Sequence, residues 1–240
     1  PTGIKLDKLT FDEEEVFDPT AYIADIKFGS FGKYINDSKP GLNNSGAIGN
    51  KVVGNTSINR ISFVKNSIIE GKNIGGLFGT ITSTVQISNL DTKSKDGNLP
   101  ALTLQGSGSA GLIANSLGFV EGTNTTEEIT ITLVSDTETT NPTNVLYPYF
   151  KSVDTAGGLV GTAVSGTING NNHVINIDLP VSEGYTVGSY GGIVGSVDGS
   201  VTVNDLDVNF YAGEPKIQAN TFGGFVASAS GSATFAGCTI

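Results

Sequence analysis

Few residues in this chain are able to do acid–base, nucleophilic or metal chemistry, and their spacing limits them further. His173 is the only histidine and Cys238 the only cysteine, so neither a histidine-rich metal site nor a Cys/His zinc site can be assembled. His173 stands in Asn171-Asn172-His173-Val174-Ile175, a turn entering a strand. A Ser-His-Asp triad could use it, but no Gly-x-Ser-x-Gly elbow exists to present the nucleophile. A structural role is expected. Cys238 falls on an apolar register shared with Leu90 and Leu206 and reads as a small core hydrophobe.

The carboxylates need closer inspection. Asp198, Asp205 and Asp207 cluster, with Asp178 a little upstream. Glycosidic cleavage needs two carboxyls about 5–10 Å apart, and lyase chemistry also needs a cation to stabilise an anionic transition state. Basic residues are scarce there, and Arg60 is the only arginine. Solvated charges that discourage lateral aggregation are the favoured reading, so no catalytic residue is assigned. Gly106-Ser107-Gly108-Ser109-Ala110-Gly111 matches a dinucleotide fingerprint in form, but that fingerprint needs a helix behind it. The acidic run Asp12-Glu13-Glu14-Glu15 lacks the alternating ligands of a calcium loop. No metal or cofactor is therefore expected. Sequons at Asn36, Asn43, Asn55 and Asn124 permit glycosylation without requiring it.

The elements that position these residues follow from composition and period. The chain has 240 residues, 38% of them hydrophobic, chiefly Val, Ile, Leu and Phe set singly among Thr, Ser, Asn and Gly. That mixture favours short strands and turns over helices. The 33 glycines have no collagen-like period, and frequent corners explain them. A net charge of −10 disfavours nucleic acid and anionic membrane as partners. No apolar run reaches the length of a membrane span. The absence of Met suggests a processed form or an excised fragment.

One pattern recurs. Its copies are Gly75-Gly76-Leu77-Phe78-Gly79, Ala110-Gly111-Leu112-Ile113-Ala114, Gly157-Gly158-Leu159-Val160-Gly161, Gly191-Gly192-Ile193-Val194-Gly195 and Gly223-Gly224-Phe225-Val226-Ala227. Ser45-Gly46-Ala47-Ile48-Gly49 is a weaker one. Aligned on the second position, the copies lie 30, 35, 47, 34 and 32 residues apart. The long spacing holds a Thr/Asn/Glu/Pro-rich stretch, read as a loop insertion at about 121–149. Downstream of the motif, Val85, Val201 and Ala233 share one offset, Ile87, Val203 and Phe235 the next, and Leu90, Leu206 and Cys238 a third. The first two sets alternate at period two, as on one strand. Asn89, Asp205 and Gly237 then mark a corner that tolerates left-handed backbone.

Short strands, frequent corners and a period near 32 predict an all-β chain: a right-handed parallel β-helix whose coils stack into one core. A propeller is the competing repeat, but its blades run longer. Residues 1–40 carry no motif and read as an N-terminal cap, with the repeat domain at 41–240. Thr10 and Glu13 have capping-box spacing, Pro19 would stop a short helix, and Phe28, Phe31 and Tyr34 could cover the first coil. The repeat glycines are Gly76, Gly79, Gly111, Gly158, Gly161, Gly192, Gly195 and Gly224.

The recurring Gly-Gly-Leu-Val-Gly core resembles the GLUG-motif repeat of bacterial surface proteins, over roughly residues 45–240. Such repeats also occur in non-catalytic regions of immunoglobulin A1-specific metallopeptidases, whose zinc-binding His-Glu-x-x-His helix is absent here. The resemblance implies a surface repeat module. The expected role is thus a non-enzymatic, extracellular stalk or adhesive rod, with a self-assembling subunit of a fibre, sheath or surface layer as the alternative and polysaccharide cleavage as a remote third. Partners would be further repeats or copies of the chain end to end, or a host glycan or protein. The insertion, with Tyr147, Tyr149 and Phe150, is the candidate contact surface, since insertions into repeats emerge on one face.

Overall fold

The computed structural model describes residues 4–5, 8–10, 21–24, 27–28, 33–36, 44–52, 54–63, 67–91, 102–118, 129–134, 144–146, 149–178, 186–211 and 218–240. These residues form a parallel β-solenoid, with no helix among them. Three sheets make its walls. A four-stranded sheet stacks Lys33–Asn36, Ser67–Gly71, Leu102–Gly106 and Tyr149–Lys151. A six-stranded sheet stacks Asn44–Ser45, Asn73–Gly75, Ser109–Gly111, Val153–Gly157, Thr186–Gly191 and Gln218–Gly223. The remaining strands belong to a fifteen-stranded sheet that bends round the rest of each coil. Its longest members, Val160–Asp178 and Val194–Tyr211, pair along their length with register shifts between Ala163 and Ser165 and between Asn169 and His173.

The glycine motif makes the corner between the six-stranded and the fifteen-stranded sheets. Gly75 ends one strand, Gly76 and Leu77 form the bend, and Phe78 begins the next strand. A side chain at Gly75, Gly157, Gly191 or Gly223 would collide with the carbonyl oxygen of the residue three positions on. Only hydrogen fits that close approach. Between coils the bend is carried by backbone bonds: Leu77 N–H donates to Ile113 O (3.1 Å), Ile113 N–H to Leu159 O (2.9 Å) and Leu159 N–H to Ile193 O (2.9 Å).

The ladder corrects the motif alignment. Gly75 pairs with Gly111, Gly111 with Gly157, and Gly157 with Gly191. Gly111 therefore holds the first position of the motif and Leu112 the second, while Ser45 opposite Ile74 places Gly46 level with Gly75. The offset sets are corrected too. Val85 stacks on Ile131, Ile131 on Ile168 and Ile168 on Val203, two residues from the equivalence read in the sequence. Likewise Asp91 pairs with Val145 and Val145 with Asn176, so Leu90 is level with Ile175 and Val208 rather than Leu206. A slip of two leaves every residue on its own side of the sheet.

The core is one continuous stack. Ile74, Ala110, Ala156 and Tyr190 form one column of the six-stranded sheet and are fully buried. The small alanines leave room beside Tyr190, which meets Phe150 with ring centroids 6.1 Å apart. Leu206 is fully buried, whereas Cys238, in the last coil, is half-buried. The side chain of Leu90 lies outside the described residues. Burying a Val, Leu or Ile contributes about 1.5–3 kcal/mol, and each coil realises that gain only against its neighbours.

The coils reach further towards the amino end than the motif does. Ala21–Ala24, Lys27–Phe28 and Lys33–Asn36 pair in parallel with residues of Thr56–Phe63 and Ser67–Gly71. Ile4–Lys5 and Lys8–Thr10 add antiparallel strands there. The expected helix after Thr10, and Phe31, lie outside the described residues, as do the side chains of Phe28 and Tyr34. The expected insertion also contains part of a coil: Thr130–Leu133 and Asn144–Leu146 are strands of the stack.

Candidate functional site

Asp198 and Asp205 stand at opposite ends of the run 200–204, with Asp207 two residues beyond Asp205 on the same strand. Asp205 occupies the left-handed region at φ 49°, as expected of a corner, and Gly237 one coil on has φ 62°. Asp207 accepts the hydroxyl of Thr239 and Asp198 that of Ser230 (3.4 Å), each across to the next coil. The extended residues Ser200 to Asn204 separate Asp198 from Asp205 by about 16 Å, beyond the reach of a glycosidase pair. No lysine or arginine occurs between Lys151 and Lys216, and the side chains of Asp178 and Arg60 lie outside the described residues. Among the described residues no three His, Cys, Asp or Glu side chains converge on a point where a metal could sit.

His173 is buried at a corner. Its Nδ1 lies 2.9 Å from Gly170 O and 3.1 Å from Asn171 O. Both partners are carbonyl oxygens, so Nδ1 carries the hydrogen and donates it. Leu206 pairs with His173 on one side, and the bridge of Asp207 to Thr239 sets Cys238 level with Leu206 on the other. The histidine and the cysteine thus stand two coils apart, about 9.6 Å, with a leucine between them. The thiol Sγ points to Val203 O (3.4 Å) and Ala236 O (3.3 Å). The two do not form a dyad.

The glycine-rich run at 106–111 also has a local explanation. It turns from Leu102–Gly106 into Ser109–Gly111 with no helix behind it. Asn73 Oδ1 accepts the Ser109 N–H at 3.1 Å, and a side chain on Gly108 would collide with that same oxygen. The aromatic contact surface expected at the insertion is overturned where it is described. Tyr149 and Phe150 are 5% and 2% exposed and belong to the wall and core of the solenoid. Tyr147 lies outside the described residues. Tyr149 and Phe150 are consecutive on a short strand and both are covered, which alternation between core and solvent would not predict.

The described surface also carries a shallow polar concavity. Ser152, Asp154, Gly188 and Asn220, from three successive coils, border an open concavity of about 500 Å3 floored by Val153, Val187 and Ala219. Gly188 leaves the gap between Asp154 and Asn220; the rim carries the Ser152 hydroxyl and the Asp154 carboxylate, and His173 is not among the lining residues. On the fifteen-stranded sheet, hydroxyl and amide side chains stand in register from coil to coil, as where Ser196 Oγ donates to Thr162 Oγ1 at 3.2 Å. Thr162 and Ser196 stand at the same distance from their motif copies, whereas further along the strand the register drifts, Thr167 standing nine residues after Gly158 and Thr202 ten after Gly192. No family model, no curated protein and no solved structure matches the chain.

Proposed function

We propose that the chain is a non-catalytic, extracellular rod of a microbial cell surface, a module that spaces or presents a contact surface. The single observation that carries this reading is the evenness of the stack. One continuous core runs through the coils whose side chains are described, and outward side chains there repeat from coil to coil. A rod built this way supplies length and a regular flank, which is what a stalk or adhesive module needs. The recurring motif, similar to GLUG repeats, supports the surface location.

A second reading is a self-assembling subunit, in which copies stack through the same parallel pairing that joins successive coils here. Val226–Ala229 and Ser232–Ala236 hydrogen-bond to a single neighbouring strand, and Phe222, Phe235 and Ile240 are exposed there. Such an edge accepts another coil, whether further repeats or a second copy.

Both readings are tested by incubating the chain with a panel of acidic polysaccharides while following its size against concentration by light scattering. An inert monomer is expected for the displayed rod and concentration-dependent rods for the subunit. New chain ends on a polysaccharide, abolished by Asp205→Ala, would replace both with an enzyme.

A further inference from the structure

The fifteen-stranded sheet carries a two-dimensional net of uncharged side chains. Thr130, Thr167, Thr202 and Thr234 are register partners in successive coils, and Thr84 stands one residue ahead of the pair Val85–Ile131, extending the same column. A second column, two residues along each strand, holds Thr132, Asn169 and Asn204. A third, two residues the other way, holds Ser165, Ser200 and Ser232, all exposed. The residues between these columns, Ile131, Ile168 and Val203, are buried, so the columns face outward. Among the described residues no charged side chain stands in the net, although the chain carries 36 charged residues and places Asp198 and Asp205 at its two borders.

We propose that this face binds ice. Rows repeat along the rod at about 4.8 Å and columns across it at about 6.6 Å. The oxygen rows on a prism face of hexagonal ice repeat at a slightly shorter interval along the rod and a somewhat longer one across it. Threonine presents a methyl and a hydroxyl from a stiff, β-branched stem, so the array is ordered before it meets the lattice and loses little freedom on docking. Charged groups, which hold their own hydration shells, do not stand among the described residues of the net. Nor does an aromatic platform stand among them, which weighs against a polysaccharide on this face. The proposal goes beyond the rod reading and fails or stands without it.

The test is uptake of the fluorescently labelled chain into a slowly grown ice hemisphere, beside Asp154→Tyr on the six-stranded sheet and Thr202→Tyr in the centre of the net. The parent and Asp154→Tyr are expected to enter the ice. Thr202→Tyr, melting like the parent, is expected to be depleted roughly tenfold, about 1.4 kcal/mol. If Thr202→Tyr loses stability, Thr167→Ser, which keeps the hydroxyl and drops the methyl, is read instead and is expected to weaken uptake. Exclusion of the folded parent from ice overturns the proposal, as does equal uptake by a folded Thr202→Tyr. A parent that stays in the liquid but sediments with microcrystalline chitin or cellulose also overturns it and reassigns the net to a polysaccharide.

Discussion

Two corners of each coil obey different rules. At the glycine corner the step from first glycine to the next strand is three residues in every copy, from Gly75 to Phe78 as from Gly157 to Val160 and Gly191 to Val194. At the following corner the step varies. Phe78 to Val85 spans seven residues, Val160 to Ile168 eight, Val194 to Val203 nine and Ala114 to Ile131 seventeen. The first corner is closed by backbone against backbone within one coil and again between coils, so its length has no freedom. The second turns where added residues can leave the stack, and closing a longer loop costs little.

The sharpest way to break that contrast is at the glycines. Gly191→Val drives a side chain into Val194 O, and a loss of about 3 kcal/mol or more is expected in chemical denaturation. Gly49→Ala, where nothing lies within 4 Å, is expected to be neutral or to stabilise by up to about 1 kcal/mol. Equal effects at the two positions would remove the special status of the corner. Leu206→Ala, in the fully buried column beside His173, is expected to cost about 2–5 kcal/mol. Leu206→Asp is expected to prevent folding, read by circular dichroism.

Tyr190, next to Gly191, is a smaller test with a sign. Its hydroxyl is buried and has no hydrogen-bond partner among the described residues, and burial holds the phenol well above the usual tyrosine range. Its stabilising contribution is whole below the unfolded value of about 10 and falls as pH rises above it, because only the unfolded chain ionises freely. Tyr190→Phe is therefore expected to gain about 1 kcal/mol and to move alkaline unfolding to higher pH. Unchanged alkaline unfolding would contradict the burial. The smallest effect is expected at the variable corner. Four residues added within 119–128 are expected to cost under about 1 kcal/mol in the same assay.

These contrasts also explain what the sequence could reveal. Fold class was legible because a corner that admits only glycine leaves a recurring mark, and because strands alternate Val, Ile and Leu with Thr, Ser and Asn. Register was less legible. At Ala110-Gly111-Leu112 a single glycine is compatible with either motif position, and only its pairing with Gly75 and Gly157 decides. At Val85 and Val203 the lengths of the variable corner differ by two, which preserves the inward and outward pattern and so hides the slip. The face argued to bind ice was only partly legible: Thr202 and Thr234 stand ten residues after Gly192 and Gly224, but Thr167 stands nine after Gly158 and Thr130 lies within the expected insertion.

The register is the claim on which the rest depends, and cysteine pairing tests it most directly. With Cys238 replaced by Ser, Thr167→Cys is combined with either Thr202→Cys or Ser200→Cys and oxidised mildly. The partner in register lies about 4.8 Å away, within the span a disulfide can bridge, and the displaced one about 8 Å away, beyond it. The structure requires the Thr167–Thr202 pair to close without loss of melting temperature and the Thr167–Ser200 pair to stay reduced. Preferential closure of the second pair would contradict it.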